Sequence, residues 1–560
     1  MSEPKDEIVE TKHQSVARSA GIVSIAVMFS RVLGLVRETV FARFFGAGFL
    51  YDAFVVAFKI PNILRDLFAE GALSAAFVKV FTDYQIKKNE VEAWRLASLI
   101  FNVLAVLMSV ITLVGIFIAP YVVPLLARGF SPEKAALAVT LTQIMFPFIL
   151  LVALAALAMG VLNTKGKFGI PASASTAFNI CSILFGLGLA YWLSGGGWEI
   201  SNDKSLIPSD AARWAITGMA FGTLIGGGAQ FLIQVPSLLK VGFRFSPVLN
   251  FADEGVKRIM RLMGPAIIGT GAIQVKVLVD LVVVSVIEGG NSWLSFAFRL
   301  MQFPIGVFGV AIGTAAIPAL SRLASQNKTS EFRDTLADSL KLVFLLTVPA
   351  ACGLIVLGEP IIAMIYQGGR FTAFDTNMTA WALAAYSIGL AGYAAIKVLS
   401  PSFYALDDAR TPMWVSVGSI AVHAPTSFGM MLLLSNVGVT PERPSGFGHV
   451  GVALATSAVA LVNFAALMFL MRKRIKRING RDIAATFAKI AAASAAMSVV
   501  AYVSYRFLAS YFVENVFYVR LIHAFVPIML AGVTFLIVAK LLRIRELEQI
   551  WRNVSRKFKK

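Results

Sequence analysis

Apolar runs of about 20 residues or more recur along the whole chain, separated by short polar connections. Each is long enough to cross a hydrocarbon core about 30 Å thick at about 1.5 Å per residue. About fourteen spans are expected, near residues 20–42, 50–81, 96–127, 135–162, 168–194, 213–239, 259–287, 291–320, 337–366, 378–406, 412–435, 448–471, 483–509 and 519–542. They should be helices, because in lipid only helices and closed barrels satisfy their own backbone, and the short alternating segments of a barrel are absent from the pattern. The first 17 residues are polar, and no small-residue cleavage site follows the first apolar run, so that run is expected to remain as a span. The expected fold class is an all-α polytopic membrane protein.

Composition agrees. Only 14% of the residues are charged and 58% are hydrophobic, whereas soluble domains carry about a quarter charged residues. The net charge of +19 is unevenly placed. Connections after odd-numbered spans hold few basic residues ("ARGFSPEK", "QGGRFTAFD"), while those after even-numbered spans hold many ("QIKKNEVEAWR", "RKRIKRINGR"), as does the terminal "WRNVSRKFKK". The positive-inside rule then puts both termini in the cytoplasm. A basic inner rim beside anionic lipid accounts for the charge without a nucleic-acid partner. Cys181 and Cys352 lie in apolar spans and suggest neither a disulfide nor a metal site, and His13, His423, His449 and His523 lack ligand spacing.

An internal repeat organises the spans. A shift of 240 residues lays "AFKIPNILRDLFAEGALSAAF" (57–77) on "AFRLMQFPIGVFGVAIGTAAI" (297–317), so the second span falls on the eighth. The same shift, within one residue, brings Pro171 onto Pro412 at the starts of spans five and eleven. Two parallel lobes of six helices are expected around a central cavity, with two C-terminal helices appended. The corresponding divisions are a tail (1–18), an N-lobe (19–242), a C-lobe (243–478), the C-terminal pair (479–544) and a basic tail (545–560). The glycine-rich stretches at 222–230 and 306–313 suit close helix packing.

Charges inside the spans are the main puzzle. Arg31, Arg37, Asp52, Lys59, Arg65, Lys276, Asp280 and Arg299 would together cost about 20 kcal/mol if exposed to lipid, against a typical net stability of about 5–15 kcal/mol. On a helical wheel Asp52, Lys59, Asp66 and Glu70 fall within about 40° of one another and form one polar stripe. Two readings stand for Asp52 with Lys59 and for Lys276 with Asp280: internal ion pairing, or groups lining a ligand site. Arg31, Arg37, Arg65 and Arg299 outnumber the acids available to neutralise them, and a guanidinium fork suits phosphate oxygens.

The stretch "MFSRVLGLVRETVFARFFGAGFLYDAFVVAFKIPNILRDLFAEGALSAAFV" closely resembles the N-terminal signature of the MurJ (MviN) family. "FRLMQFPIGVFGVAIGTAAIPALSR", "YQGGRFTAFDT", "FYALDDARTP" and "VLNTKGKFGIPAS" extend the resemblance over nearly the whole chain. Members of that family are flippases of lipid II, the undecaprenyl-pyrophosphate-linked precursor of peptidoglycan, and belong to an exporter superfamily that includes drug extruders. The resemblance implies a head-group site made by Arg31, Arg37, Asp52, Lys59, Arg65 and Arg299, and a groove for the prenyl tail on spans thirteen and fourteen. Where some relatives carry acids beside the eighth-span arginine, this chain has Phe298 and Gln302, so a salt bridge there is not carried over. Lys276, Asp280 and Gln302 are the further cavity candidates.

The function expected is translocation of lipid II across the bacterial inner membrane by alternating access, without covalent chemistry. Lipid II and membrane lipids are the expected partners, and cell-wall synthesis proteins are candidates. No cofactor is expected. Energy would come from the membrane potential or from a sodium site such as some family members have, for which Asp280, Asp407 and Asp408 are candidates. No Walker motif is present, which argues against direct use of ATP. The rival readings are an exporter of drugs or of another polyprenyl-linked saccharide, a membrane transferase or phosphatase acting on polyprenyl carriers, and a passive channel or scaffold.

Overall fold

The structure, a computed structural model, describes residues 26–68, 72–196, 209–512 and 516–548. The first helix, α1, covers 26–45. It is followed by α2 (Phe49–Phe68), α3 (Ala72–Lys87), α4 (Glu90–Leu126), α5 (Pro132–Met145), α6 (Phe148–Thr164), α7 (Gly169–Leu193), α8 (Asp210–Leu232), α9 (Val235–Lys240) and α10 (Glu254–Val284). Then come α11 (Gly290–Pro304), a π-helical turn (Ile305–Val310), α12 (Ala311–Ser325), α13 (Thr329–Val356), α14 (Gly358–Ile365), α15 (Ala373–Ile388) and α16 (Leu390–Ala405). Four long helices close the chain: α17 (Arg410–Ser435), α18 (Gly448–Arg474), α19 (Gly480–Tyr511) and α20 (Phe517–Leu541). Among the described residues the only β-type pairings are two isolated bridges, Gly368 with Phe371 and Thr440 with Arg443.

Among the described residues, ten spans are long and apolar enough to cross a bilayer, or eleven if α15 and α16, bent by 42° at Gly389, form one. The expected count of about fourteen is therefore not reached by that measure. The shortfall falls on the first, second and seventh expected spans, whose described residues are helical but include Arg31, Arg37, Glu38, Asp52, Lys59, Arg65, Asp66, Arg261, Lys276 and Asp280. Residues 20–25 of the first span, Glu70 in the second, the tail 1–18 and residues 549–560 lie outside the described residues. The second expected span is two helices, α2 and α3, and α10 holds Lys257, Arg258, Arg261, Lys276 and Asp280 in a single 31-residue run.

The chain divides into two compact units, 1–274 and 275–560, with the boundary inside α10. Within the first unit α2 packs on α5, and α7 pairs closely with α8. Within the second, α11 packs on α15, and α17 pairs closely with α18. These are the second span on the fourth and the fifth on the sixth, then the eighth on the tenth and the eleventh on the twelfth. The 240-residue repeat thus returns as the same internal pairings in each unit. The C-terminal helices α19 and α20 pair with each other and dock on α13, burying Ile490, Met497 and Phe535 with Leu340 and Phe344 in one core.

Glycine sets the closest approaches. A Cβ on Gly222 would lie 2.3 Å from the Gly186 Cα, and one on Gly451 would lie 2.3 Å from the Met430 carbonyl oxygen. Gly309 and Gly313 admit α16 in the same way, against Ala394 and Lys397. In a bilayer, where lipid tails are as apolar as leucine, such backbone proximity is a main source of helix association. Gly222→Ala should lower the thermal midpoint of the purified protein by several degrees, because backbone cannot yield as a flexible side chain does. Gly188→Ala, which meets nothing within 4 Å, should leave the midpoint unchanged or raise it slightly. Size-exclusion chromatography after a temperature series checks both.

Candidate functional site

Helix α1 carries Arg31 and Arg37 on different surfaces. Arg31 is exposed, whereas Arg37 is 8% exposed and donates through Nη2 to Glu38 Oε1 at 3.0 Å. The Arg37 guanidinium also lies over the Phe178 ring, 4.9 Å from its centroid. The other Glu38 oxygen accepts from the Tyr51 hydroxyl at 2.7 Å, joining α1 to α2. This arginine is held by its own sequence neighbour and an aromatic face.

Asp52 is fully buried, and its Oδ2 accepts from Lys134 Nζ on α5 at 2.8 Å. Lys134 is itself 2% exposed and lies over the Phe130 ring at 4.3 Å. Lys134, which the sequence reading did not name, is thus a buried partner of Asp52 on another helix. The reason is local. Ser131 caps α5, with Pro132 in the first turn, so Lys134 becomes a helical residue directed at α2 instead of a loop residue. Asp52 acts here as a clamp between helices. Lys59 and Arg65 are half-buried further along α2.

Arg65 is likewise neutralised by its neighbour, donating to Asp66 Oδ1 at 2.7 Å, while Asp66 Oδ2 accepts from Gln274 Nε2 at 3.1 Å. The expected surplus of unneutralised guanidinium groups is thus smaller than the wheel implied. Helical-wheel reasoning looks for partners three and four residues away and overlooks the adjacent residue. A long arginine can fold back along the helix to reach it.

In the second unit, Arg299 and Gln302 are both exposed on α11. Phe298 turns the other way, and its ring meets Tyr386 of α15 edge to face at a centroid distance of 5.4 Å. Helix α11 is anchored at its start by Trp293, whose indole N–H donates to Asp375 Oδ1 at 3.2 Å. Asp375 also closes the capping box of α15 with Thr372.

Asp280 is the centre of a polar cluster in this unit. One carboxylate oxygen meets His423 Nε2 at 2.7 Å and accepts from Ser427 Oγ at 3.2 Å, both on α17. The other accepts from Thr456 Oγ1 of α18 at 3.2 Å. Lys276, one turn earlier on α10, donates to the Tyr393 hydroxyl of α16 at 2.7 Å. The direct Lys276–Asp280 pair considered from the sequence is replaced by these partners on other helices. Asp407 and Asp408 belong to neither group. Asp407 is exposed in a left-handed turn (φ 57°). Asp408 accepts from the Thr411 hydroxyl at 2.7 Å and its backbone N–H at 3.0 Å, which hold its carboxyl below the usual range.

With these placements in hand, relatives can be compared. A family model described as lipid II flippase MurJ matches residues 41–523. The chain belongs to the MurJ lipid II flippase family. A lipid II flippase MurJ of Burkholderia cenocepacia is 36% identical over 459 residues, covering 81% of this chain and 83% of the relative. A probable lipid II flippase MurJ of Vibrio cholerae is 34% identical over 467 residues, covering 82% and 83%. Among solved structures, a lipid II flippase MurJ in an inward closed conformation superposes with a TM-score of 0.72 at 28% identity, covering 93% of this chain and 98% of that one. A MATE-family multidrug transporter in an inward-facing conformation shares the fold at 13% identity, with a TM-score of 0.64 over 82% of this chain and 98% of that one. The MurJ family is one of transporters, not enzymes.

Within the MurJ frame, Lys134, Ser427, Thr456, Tyr386 and Tyr393 were not singled out from sequence, and Glu38 and His423 were given no role. His423 and Ser427 stand one turn apart on a span, so they share a helix face, and that spacing was the available signal. Removing either partner of the buried Asp52–Lys134 pair leaves an uncompensated buried charge, which costs about 3–5 kcal/mol. Lys134→Met should therefore be strongly destabilised, and Asp52→Leu combined with Lys134→Met should recover most of the loss. Thermal midpoints of the three detergent-solubilised proteins test this, and equal midpoints for the single and double variants would contradict the clamp.

Proposed function

We propose that this chain carries lipid II from the inner to the outer leaflet of the bacterial cytoplasmic membrane, exposing its binding groups to each side in turn. Membership of the MurJ family supports this reading, and the single observation that carries it is the match over residues 41–523. The exposed Arg31 and half-buried Lys59 of the first unit, and the exposed Arg299 of the second, are each assigned to phosphate oxygens. Arg37 and Arg65, tied to adjacent acids, are assigned a supporting role in the first unit. A guanidinium can hold two phosphate oxygens at once, and each such charge-assisted bond is stronger than a neutral one. No bond of the substrate is made or broken, and its prenyl chain stays in lipid.

The distribution of lysine and arginine supports cytoplasmic placement of both termini. Given that orientation, a doubly negative head group moves outward with the field, gaining about 2.3 kcal/mol per charge for each 100 mV. A monovalent cation site is assigned to Asp280, because a carboxylate with the Ser427 and Thr456 hydroxyls supplies the oxygen donors a hard cation prefers. His423 and Lys276 distinguish this cluster from an all-oxygen cage. Asp408 spends its oxygens on Thr411 and is not assigned to the ion.

Arg299→Ala should fail to support growth of cells depleted of their own flippase while reaching the membrane in normal amounts. Externally added probes should then find little lipid II on the outer leaflet, whereas the wild-type chain restores the signal. Normal growth with Arg299→Ala would favour a passive scaffold instead. If the wild-type chain exports unrelated lipid-linked saccharides or cationic drugs and not lipid II, the general exporter reading replaces this one.

A further inference from the structure

Two side chains on α18 link the Asp280 cluster to α15, which packs on the helix bearing Arg299. Thr456 donates to Asp280, and the next residue, Ser457, donates through Oγ to the carbonyl oxygens of Ala385 at 2.7 Å and Tyr386 at 3.0 Å. These carbonyls lie in the last turn of α15, just before the 42° bend at Gly389. A Cβ on Gly389 would meet Ser457 Cα at 2.7 Å, so α18 and the bend are in direct register. The Tyr386 ring then packs edge to face on Phe298, the residue preceding Arg299. Every member of this chain lies in the second unit.

Its members are tightly held. Tyr386 is 4% exposed, Ser457 1% and Thr456 2%. A packed core passes on a displacement because it has few voids to absorb it.

We propose that Tyr386 and Phe298 are positioning residues: through Thr456 and Ser457, the arrangement of groups around Asp280 sets the orientation of α11 and hence the reach of Arg299 toward the pyrophosphate. Neither ring touches the substrate. The inference rests on the reading that Arg299 binds the head group, and goes beyond it by naming what controls that residue. A shared contact network between two sites appears as non-additivity when both ends are altered, which spatial adjacency alone does not establish.

The test is a double-mutant cycle on lipid II affinity, measured with the full chain in lipid nanodiscs, using Asp280→Asn, Phe298→Leu and their combination. Asp280→Asn and Phe298→Leu should each weaken binding, and the double variant should be weaker than either by much less than their product. A coupling factor of at least about fivefold is expected. Tyr386→Leu should couple to Asp280→Asn in the same way, while Phe298→Tyr, which keeps the ring, should retain the wild-type response to Asp280→Asn. Combined effects that multiply within about twofold would overturn the relay. Arg299→Gln separates the two layers. If it lowers affinity but the cycle is additive, the head-group assignment stands and the relay falls. If Arg299→Gln leaves affinity unchanged, both fall.

Discussion

Neutralisation of charge within the apolar interior is the constraint on which the remainder of this fold depends. A lone charge at mid-bilayer costs about 2.5–3.5 kcal/mol even on the most lenient scale, so a chain with charges in its first, second, seventh and eighth spans must supply partners. It does so in two ways. Asp52 is matched across helices by Lys134, and Arg37 and Arg65 are matched by the next residue in the chain. The first arrangement fixes α2 against α5, and in the second the acid's other oxygen bonds across helices, Glu38 to Tyr51 and Asp66 to Gln274. Arg31 and Arg299 are instead exposed on α1 and α11.

The two units use different chemistry for similar architectural positions. The second and fourth spans of the first unit are joined by a buried ion pair, whereas the eighth and tenth, their counterparts under the repeat, meet through the Phe298–Tyr386 rings and the Trp293–Asp375 hydrogen bond. An ion pair is rigid when satisfied and costly when broken. Aromatic packing worth about 0.5–1.5 kcal/mol beyond area burial can shift by small steps without leaving a buried charge. That contrast makes the second unit the natural place for adjustable geometry, and the π-helical turn that follows Pro304 and the bend at Gly389 lie in the same unit.

Much of this was legible from residue order. Span lengths, the all-helical class and the internal repeat follow from hydropathy period and from one shifted alignment, since bilayer thickness and backbone satisfaction leave few alternatives. Asp280 could be singled out as a charge inside a span, yet its partners could not. His423, Ser427 and Thr456 come from helices about 140–180 positions away, and no local spacing encodes which helix faces meet. Lys134 was hidden for another reason: "SPEK" reads as a loop until Ser131 is recognised as a helix cap. Arg37 and Arg65 escaped because periodicity compares residues on one helix face, while a flexible guanidinium can reach an acid beside it.

Cost and use of the Asp280 cluster can be weighed against each other. Four donors and acceptors on α10, α17 and α18 converge there, and a simpler apolar seam between those helices would pack without any desolvation penalty. Helix association does not require the cluster, because α17 and α18 already approach through Gly451 at backbone distance. A polar group retained where packing has been achieved by other means is best explained by a ligand or a change of state, which is the ordinary expectation for ionisable residues inside a membrane. Its hydroxyl neighbour Thr456 adjoins Ser457, which bonds the last turn of α15, where the Tyr386 ring meets Phe298. The energetic expense of the cluster and the mobility needed for transport are thus assigned to the same few residues.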